Sequence, residues 1–416
     1  MSEFSQLSIT TVPGYLASRP ELSTHIDAGR LVSVVEVGDG NLNLVFIVKD
    51  EGGRGLVLKQ SLPHVRTDPT WAMTRARSTR EATLLAEHSR IDAEHVPALY
   101  GFDPIDYILA MEDLSDHVVW RTELNAGRVH PYAAAALGRY IGRTAFWTSA
   151  FGLTGPQKRN LVAATANPEL CEITEDLVFT EPYIDHPHNR VLPGNDKDVA
   201  DLRADRDLLR EIGLAKLHYQ NSSQSLLHGD LHTGSVFVRS EGESVRAFDS
   251  EFGFYGPTGF DLGAVWANLV IAAARAEALG EHERAVELLG LPVALWNSFE
   301  LEYRSLWPSR SDPRVYGDDV LEAALAGIRS DAAVFAGAKA IRRIIGFAKA
   351  TDIESLDEEQ RVGAARAVLL AGRALVLERL QDSSPQALTE HTSRIIAEHA
   401  KPVRGLRGLR GRRRTA

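Results

Sequence analysis

Segments with strand character are concentrated in the first quarter of the chain, and this arrangement constrains the fold more than any other feature. Leu31–Val37 and Leu42–Val48 are rich in β-branched and other apolar residues and are separated by a turn, and Gly55–Lys59 follows a second turn. This series predicts a β-meander. Residues 75–89 then have helical spacing, Tyr107–Met111 has the pattern of a further strand, and the rest of the chain is mostly helical. We therefore predict a bilobal α+β fold, in which a small strand-rich lobe and a larger helical lobe enclose a cleft that favours a ligand site.

Composition is that of an ordinary globular protein. The 416 residues are 44% apolar and 25% charged, which is sufficient for a large core. The formal net charge of -10 argues against a nucleic-acid partner, because such proteins usually present a basic face. The single cysteine, Cys171, excludes an intrachain disulfide and fits a reducing cytoplasm. Neither a signal peptide nor a membrane-spanning segment is visible, so we expect a cytoplasmic protein with no membrane partner.

Composition also changes along the chain. We predict that residues 1–113 form the strand-rich lobe and residues 114–400 the helical lobe. Residues 401–416 are dominated by Gly and Arg, so they cannot form a core and are predicted to be a disordered basic tail. The alternative for this tail is a segment that contacts phosphate or a membrane.

The residues that point most directly to chemistry flank one short predicted hairpin, whose strands are Val236–Arg239 and Val245–Asp249. Asp230 precedes the hairpin, and Asp249 and Glu251 come at its other end. Because a hairpin returns the chain close to its starting point, the three carboxylates should face one small volume. There they would repel one another unless a cation lies between them. Mg²⁺ suits such oxygen ligands and usually shares its shell with phosphates, so the pattern predicts phosphoryl transfer rather than mere turn and cap residues.

Two sets of basic residues accompany these carboxylates. Lys59 closes an apolar strand from which it can reach the phosphates of a nucleotide. Glu81 on the next helix is its predicted ion-pair partner, with Glu87 or another acid as the alternative. Arg342 and Arg343 lie in an otherwise apolar helix and point about 100° apart, so one can enter the cleft while the other pairs elsewhere. In the cleft an arginine would stabilise the transferring phosphoryl group or bind a sugar hydroxyl. A surface salt-bridge pair is the alternative that the spacing leaves open.

Other candidate positions have weaker patterns. The turn at residues 38–41, Gly-Asp-Gly-Asn, would cover phosphates with backbone N–H groups, although a plain hairpin turn explains it equally well. His232 is interpreted as a hydrogen-bonding scaffold residue. Asp261 is interpreted as a cap of the following helix or as an anchor for the loop at Asp230.

In combination these segments closely resemble the 5-methylthioribose kinase family, which has the protein-kinase-like fold shared with aminoglycoside phosphotransferases and choline kinases. The resemblance runs from about residue 10 to about residue 360. The stretches that carry it are Tyr15–Pro20, Gly38–Phe46, Leu58–Gln60, Met111–Leu114, His228–Ser235, Asp249–Pro257, Gly259–Gly263 and Ile341–Ile344.

The resemblance implies a role for each matching position. Asp230 would take the proton of the sugar 1-hydroxyl, Asp249 and Glu251 would bind Mg²⁺, and Arg342 and Arg343 would act in catalysis as the family's twin arginines. Residues implied to bind ATP are Gly38, Asp39, Gly40, Asn41, Asn43, Lys59, Met111, Glu112 and Leu114, and those implied to contact the sugar are Asp230, Tyr255, Arg342 and Arg343. The implied reaction converts ATP and S-methyl-5-thioribose into ADP and S-methyl-5-thioribose 1-phosphate, a step of methionine salvage, in a homodimer.

Two departures from the family pattern leave alternatives open. Ser250 stands where the family usually has Pro, and Thr258 stands where Met is common. The alternatives are a kinase of a related 5-substituted ribose or of an aminoglycoside, and a non-catalytic nucleotide-binding regulator. The acids at 230, 249 and 251, together with Lys59, argue against the last of these.

Overall fold

The computed structural model describes residues 5–38, 42–66 and 68–403. Asp39, Gly40 and Asn41 of the predicted phosphate-covering turn lie outside these ranges, as does the predicted basic tail from residue 404 onward. The strands are β1 (Leu31–Val37), β2 (Asn43–Asp50), β3 (Gly55–Ser61), β4 (His64–Val65), β5 (Asp68–Ala72), β6 (Leu99–Asp103), β7 (Ile108–Glu112), β8 (Val118–Val119), β9 (Ser225–Leu227), β10 (Val236–Arg239), β11 (Ser244–Ala247) and β12 (Phe254–Gly256).

The helices occupy most of the remaining chain. They are α1 (Val12–Ala17), α2 (Arg77–Asp92), α3 (Trp120–Asn125), α4 (Tyr132–Thr148), α5 (Gly155–Ala164), α6 (Pro168–Thr174), α7 (Asp196–Ala204), α8 (Arg206–Asn221), α9 (Gly259–Ala278), α10 (His282–Leu306), α11 (Asp318–Ile345), α12 (Thr351–Glu354), α13 (Glu358–Glu378) and α14 (Pro385–His399).

The N-terminal lobe is built on an antiparallel sheet of strand order β1-β2-β3-β7-β6. Side chains alternate between its two faces, as the period of a strand requires. Leu56 and Leu58 are fully buried in an apolar cluster that the N-terminal segment completes through Leu16 and Leu22. Lys59 has the opposite parity and therefore faces α2 and the cleft. The alternation of side chains along β3 thus directs Leu56 and Leu58 into the core and the Lys59 ammonium towards the cleft.

The C-terminal lobe is a helical assembly centred on α9. Every residue of α9 except Arg275 is buried, because α4, α10, α11 and α13 pack around it. The apolar run at residues 263–274 therefore lies in a buried helix of the core. None of the helices in the described part of the chain is long and apolar enough to cross a membrane.

A hairpin of β10 and β11 and a pair of β9 and β12 lie where the two lobes meet. They carry the chain into and out of the segments that hold the predicted acids. The bilobal α+β architecture predicted from the sequence is confirmed, since the sheet comes first and the helical lobe follows. The boundary at residue 113 stays a prediction, and β7 ends next to it at Glu112.

Candidate active site

Residues 228–235, the Asp230 loop, connect β9 to β10 in a fixed conformation. Gly229 has φ of +88°, and a Cβ there would lie 2.1 Å from the carbonyl oxygen of Phe252, so only glycine fits. The carboxylate of Asp261 accepts hydrogen bonds from the backbone N–H groups of His228 (2.7 Å) and Gly229 (3.0 Å). The structural role predicted for Asp261 as an anchor of the loop is therefore confirmed.

Side chains of the Asp230 loop complete this anchoring. The His228 Nε2 atom lies 2.9 Å from the carbonyl oxygen of Phe248, which ties the loop to the far end of the hairpin. The Ser235 hydroxyl lies 2.8 Å from the Asp230 carbonyl oxygen and accepts a hydrogen bond from the His232 backbone N–H. With its backbone held in this way, Asp230 presents its carboxylate to the cleft.

Three cationic or imidazole groups surround the Asp230 carboxylate. The Lys339 Nζ and Arg342 Nη2 atoms lie 3.0 and 3.7 Å from Oδ1, and the His232 Nε2 atom lies 3.4 Å from Oδ2. Because His232 Nδ1 accepts from the Gly234 N–H, the hydrogen-bond pattern assigns the ring proton to Nε2, facing Asp230. Burial alone would raise the pKa of Asp230, but Lys339 and His232 hold it well below its ordinary value. Asp230 is therefore a carboxylate that stays ionised.

Lys339 is a site residue that the sequence reasoning did not single out. Its side chain is only 4% exposed, and its ammonium lies 4.2 Å above the ring of Phe260. Burial lowers the pKa of Lys339 to about 8, although the neighbouring Asp230 carboxylate acts in the opposite direction. The available signal was its position three residues before Arg342 in α11, which puts both cations on one helix face.

The two adjacent arginines diverge as their helical spacing predicts. Arg342 is directed at Asp230, whereas the guanidinium of Arg343 donates to the Ala348 carbonyl oxygen at 3.1 Å. Both are buried near the C-terminal end of α11, so the alternative of a surface salt-bridge pair is wrong. Arg121 and Asp352, an ion pair at 3.2 Å, lie close enough to affect the pKa of Arg343. Burial and the adjacent Arg342 lower that pKa well below its ordinary value.

These residues line a cavity of about 160 Å³. Its charged wall is formed by Asp230, His232, Lys339, Arg342 and Arg343, and its apolar wall includes Ile173, Leu177, Val178, Phe252 and Ala348. Part of the apolar wall is a π-helical turn, residues 175–180, a conformation that often occurs at functional sites. A larger groove of about 590 Å³ lies among residues 16–29 of the N-terminal segment, away from these carboxylates.

Asp249 interacts electrostatically with His232 of the cavity wall and has an unusual backbone conformation. Its φ is +65°, which a non-glycine residue adopts only when its surroundings impose it, and such residues concentrate at functional sites. Its side chain is 48% exposed, and Oδ1 lies 2.5 Å from the Lys59 ammonium. Lys59 also contacts Glu81 at 2.7 Å, so the predicted ion pair is confirmed. Burial would lower the pKa of Lys59, but the carboxylates of Asp249 and Glu81 raise it above its ordinary value.

Glu251 is more deeply enclosed than Asp249. Its Oε2 atom accepts hydrogen bonds from Arg77 Nε at 3.0 Å and from Asn43 Nδ2 at 3.1 Å. Arg77 is fully buried and also donates to the carbonyl oxygens of Leu62 and Leu42. The sequence reasoning missed Arg77, because it opens a helix whose many charges indicate a solvated face.

The carboxylates of Asp249 and Glu251 have the oxygen chemistry that Mg²⁺ requires. Asp249 is half exposed. Among the hydrogen bonds of the described residues only one of its two carboxylate oxygens is engaged, by Lys59. Glu251 already shares one oxygen with two donors. The pair therefore fits the cation, with Asp249 as the more accessible ligand.

The remaining predicted positions lie apart from this centre. Met111 and Glu112 end β7, and the Glu112 carboxylate accepts from the Ala98 N–H at 3.1 Å. Leu114 is buried just beyond the strand. The structure does not bring Tyr255 to the cavity: this residue is buried, and its hydroxyl donates to the Thr148 carbonyl oxygen at 2.8 Å.

Thr258 also lies away from the cavity wall. It is buried, its hydroxyl lies 2.9 Å from that of Ser225, and its N–H donates to Gln224. The departure from the family pattern at Thr258 therefore changes the packing just before α9 and leaves the lining of the cavity unchanged.

A bilobal fold whose cleft brings together three carboxylates, a buried strand lysine and paired arginines is that of a phosphotransferase. Consistently, the model of the Phosphotransferase enzyme family matches residues 33–295. A methylthioribose kinase of Pectobacterium atrosepticum is 41% identical over 360 residues, which cover 83% of this chain and 88% of that protein. A methylthioribose kinase of Yersinia pseudotuberculosis is 38% identical over 363 residues, which cover 84% of this chain and 88% of that protein. The chain belongs to the methylthioribose kinase family.

Among solved structures, a choline/ethanolamine kinase family protein from Mesorhizobium loti aligns with a TM-score of 0.45 at 14% identity. The alignment covers 92% of this chain and 99% of that one.

Proposed function

We propose that this chain is an ATP- and Mg²⁺-dependent kinase that phosphorylates the 1-hydroxyl of S-methyl-5-thioribose. The observation that carries the proposal is the contact of the Asp230 carboxylate with the cations of α11, in a loop that His228 ties to the hairpin end next to Asp249. The ionised Asp230 carboxylate lines a cavity large enough for only a small substrate. The family names support the sugar, and methionine salvage is the process to which its product belongs.

In the proposed reaction Asp230 accepts a hydrogen bond from the sugar hydroxyl. The hydroxyl oxygen attacks the γ-phosphorus of ATP, the bond to the β-phosphate oxygen breaks, and the proton passes to Asp230. A carboxylate with a strongly lowered pKa is a weak base, which suits a loose transition state in which the proton leaves late. Asp230 would therefore orient the nucleophile first and accept its proton afterwards.

Cations of the N-terminal and C-terminal lobes have separate proposed tasks. Lys59 binds nucleotide phosphates, and Mg²⁺ on Asp249 and Glu251 would neutralise phosphate charge when it is bound. Arg342 and Arg343 stabilise the charge on the transferring group. Lys339 is a positioning residue, since its contact is with Asp230.

Nucleotide-binding positions follow from the resemblance. The backbone around Met111, Glu112 and Leu114 holds the adenine, and the segment from Gly38 to Asn43 covers the phosphates. Tyr255 is left out of the proposed sugar contacts, because its hydroxyl is engaged with Thr148. We further propose a cytoplasmic homodimer, with the nucleotide-binding lobe ending near residue 113.

The charge of the cavity weighs against an aminoglycoside substrate. The two carboxylates of Asp230 and Asp352 interact with a larger number of cationic side chains, namely those of Arg121, Lys339, Arg342 and Arg343. A polycation would be repelled there, whereas a neutral sugar that becomes a phosphate ester gains favourable partners. A related 5-substituted ribose remains the second candidate, because the apolar wall would accept other apolar groups at that carbon.

The test is ADP release from ATP with a panel of 5-methylthioribose, 5-deoxyribose, ribose and kanamycin, with phosphorus NMR of the product. We expect the highest kcat/KM for 5-methylthioribose and a sugar 1-phosphate signal. If 5-deoxyribose gave the highest kcat/KM, the protein would be a kinase of a related 5-substituted ribose instead. The absence of turnover with every acceptor would favour a nucleotide-binding regulator.

A further inference from the structure

A second cluster of metal-binding side chains lies outside the proposed active site. It consists of Glu181, which begins a short helical turn, and the two imidazoles of the sequence His186-Pro187-His188. One ligand atom from each of the three lies within 4.8 Å of the other two. We propose that these residues bind one divalent transition-metal ion of the Zn²⁺ class.

The spacing of the ligand atoms suits such an ion. His188 Nδ1 lies 2.9 Å from Glu181 Oε1, and His186 Nδ1 lies 3.6 Å from the same oxygen. Tetrahedral Zn²⁺ with bonds near 2.05 Å places its ligand atoms about 3.3 Å apart. The two observed distances bracket that value, so small side-chain rotations bring both pairs into coordination geometry.

The carboxylate of this cluster is buried. The side chain of Glu181 is only 9% exposed, and among the described residues its ion-pair partners are the imidazoles of His186 and His188. A buried charge needs a compensating cation or a metal. His186 Nδ1 accepts from the backbone N–H of His188 at 3.3 Å, so it is the unprotonated nitrogen of this ring and would exchange that long hydrogen bond for a coordinate bond when a metal ion is bound. The same ion would take the place of the proton in the 2.9 Å contact between His188 Nδ1 and Glu181.

Neighbouring side chains hold the cluster in place. The side-chain amide of Asn189 donates to the carbonyl oxygens of Glu181 (2.7 Å) and Ile184 (3.0 Å), which holds the ligand-bearing segment in shape. Trp71 stacks on His188 with ring centroids 6.1 Å apart. Such packing restricts ring rotation and thereby orients a ligand.

The exposure of the two imidazoles and the number of ligands fit an ion of the Zn²⁺ class better than Mg²⁺. His186 and His188 are 31% and 37% exposed, so an ion can enter from solvent and keep a water molecule as its fourth ligand. Imidazole suits Zn²⁺ and Ni²⁺, whereas Mg²⁺ prefers oxygen ligands. The site is therefore chemically distinct from the one at Asp249 and Glu251.

The test is equilibrium dialysis of tag-free, full-length protein against Zn²⁺, with saturating Mg²⁺ and ATP to fill the proposed active site. We expect one Zn²⁺ per chain and, with Co²⁺, the visible absorption of a tetrahedral complex. The double variant H186N/H188N should weaken binding at least 100-fold, and Glu181→Gln at least 10-fold. Thermal melting without metal checks that the variants fold.

His282→Asn is the matched control, because His282 is also an exposed imidazole that contacts a glutamate, Glu277, at 2.8 Å. It should leave Zn²⁺ affinity unchanged. Stoichiometric binding that survives H186N/H188N, or the absence of stoichiometric binding in the unmodified protein, would overturn the proposal. The readout does not involve sugar turnover, so it is independent of the proposed kinase activity.

Discussion

At the scale of single residues, the contact between Asp230 and Lys339 controls the charge of the site. A fully buried ammonium would normally lose its proton, and a buried carboxylate would normally gain one. Here each stabilises the charged form of the other across 3.0 Å. The two side chains therefore form a coupled pair, and a change in one alters the protonation of the other.

This coupling predicts the alkaline limb of the pH profile. Because the pKa of Lys339 is about 8, raising the pH through that value removes the cation beside Asp230. We expect kcat/KM to fall above about pH 8, and the limb to move to higher pH in Lys339→Arg, whose guanidinium stays protonated. Lys339→Met should reduce kcat about 100-fold below pH 8, where Lys339 is charged, and the difference from the unmodified protein should shrink at higher pH. An unchanged alkaline limb in Lys339→Arg would contradict this assignment.

The acidic residues of the site could be predicted from the sequence, but some of the basic ones could not. Asp230, Asp249 and Glu251 flank a hairpin, and the two ends of a hairpin necessarily lie close together. Lys339 and Arg77 gave no comparable signal. Lysine and arginine are mostly solvent-exposed residues, and their burial here depends on helices packed from distant parts of the chain.

At the scale of elements, the Asp230 loop depends on the strained turn at Gly229. A side chain at this position would collide with the backbone of Phe252, and the positive φ would add strain. Gly229→Ala should therefore displace Asp230, lower kcat at least 100-fold and reduce the free energy of unfolding by about 1–3 kcal/mol.

Gly290→Ala is the matched control for this prediction. Gly290 lies inside α10, and a Cβ there would meet nothing within 4 Å. Its replacement should preserve activity and stabilise the helix by up to about 1 kcal/mol. Equal effects of the two alanines on kcat would show that the backbone conformation at Gly229 does not matter.

Secondary structure was predictable where elements are long or strictly alternating. The predicted limits of β1 are those observed, and the first hairpin strand, Val236–Arg239, also agrees. The second hairpin strand ends at Ala247, two residues earlier than expected, which leaves Asp249 free to adopt its left-handed conformation. The three-residue strands β9 and β12 had no sequence signal, because they are too short to show a period.

At the scale of the whole molecule, ion pairs across the cleft connect the two lobes. Lys59 reaches Asp249, and Arg77 reaches Glu251, each from an element of the N-terminal lobe to the segment after β11. Because Lys59, Asp249 and Glu251 are the proposed nucleotide and metal ligands, we expect nucleotide binding to depend on the relative position of the lobes.

We predict that Arg77→Met destabilises the protein by about 3–5 kcal/mol, because it leaves the Glu251 carboxylate buried without its cation. It should also raise the Kd of MgATP, since Glu251 loses its orientation. Thermal and denaturant unfolding measure the first effect, and calorimetric titration measures the second. Arg90→Met, which removes an exposed pair with Glu87 in the same helix, should change stability by less than about 0.5 kcal/mol. Similar effects of the two substitutions would argue against a special role for Arg77.

In the proposed mechanism Asp230 acts on the sugar hydroxyl, whereas nucleotide binding depends on other residues. The most direct measurement is therefore kcat with 5-methylthioribose, together with the Kd of MgATP, for Asp230→Asn and the unmodified chain. Asparagine keeps the shape of the side chain but cannot accept the proton. We predict that kcat falls by about 10²–10⁴-fold while the Kd of MgATP stays within about threefold. A kcat within about tenfold of the unmodified chain would contradict the account.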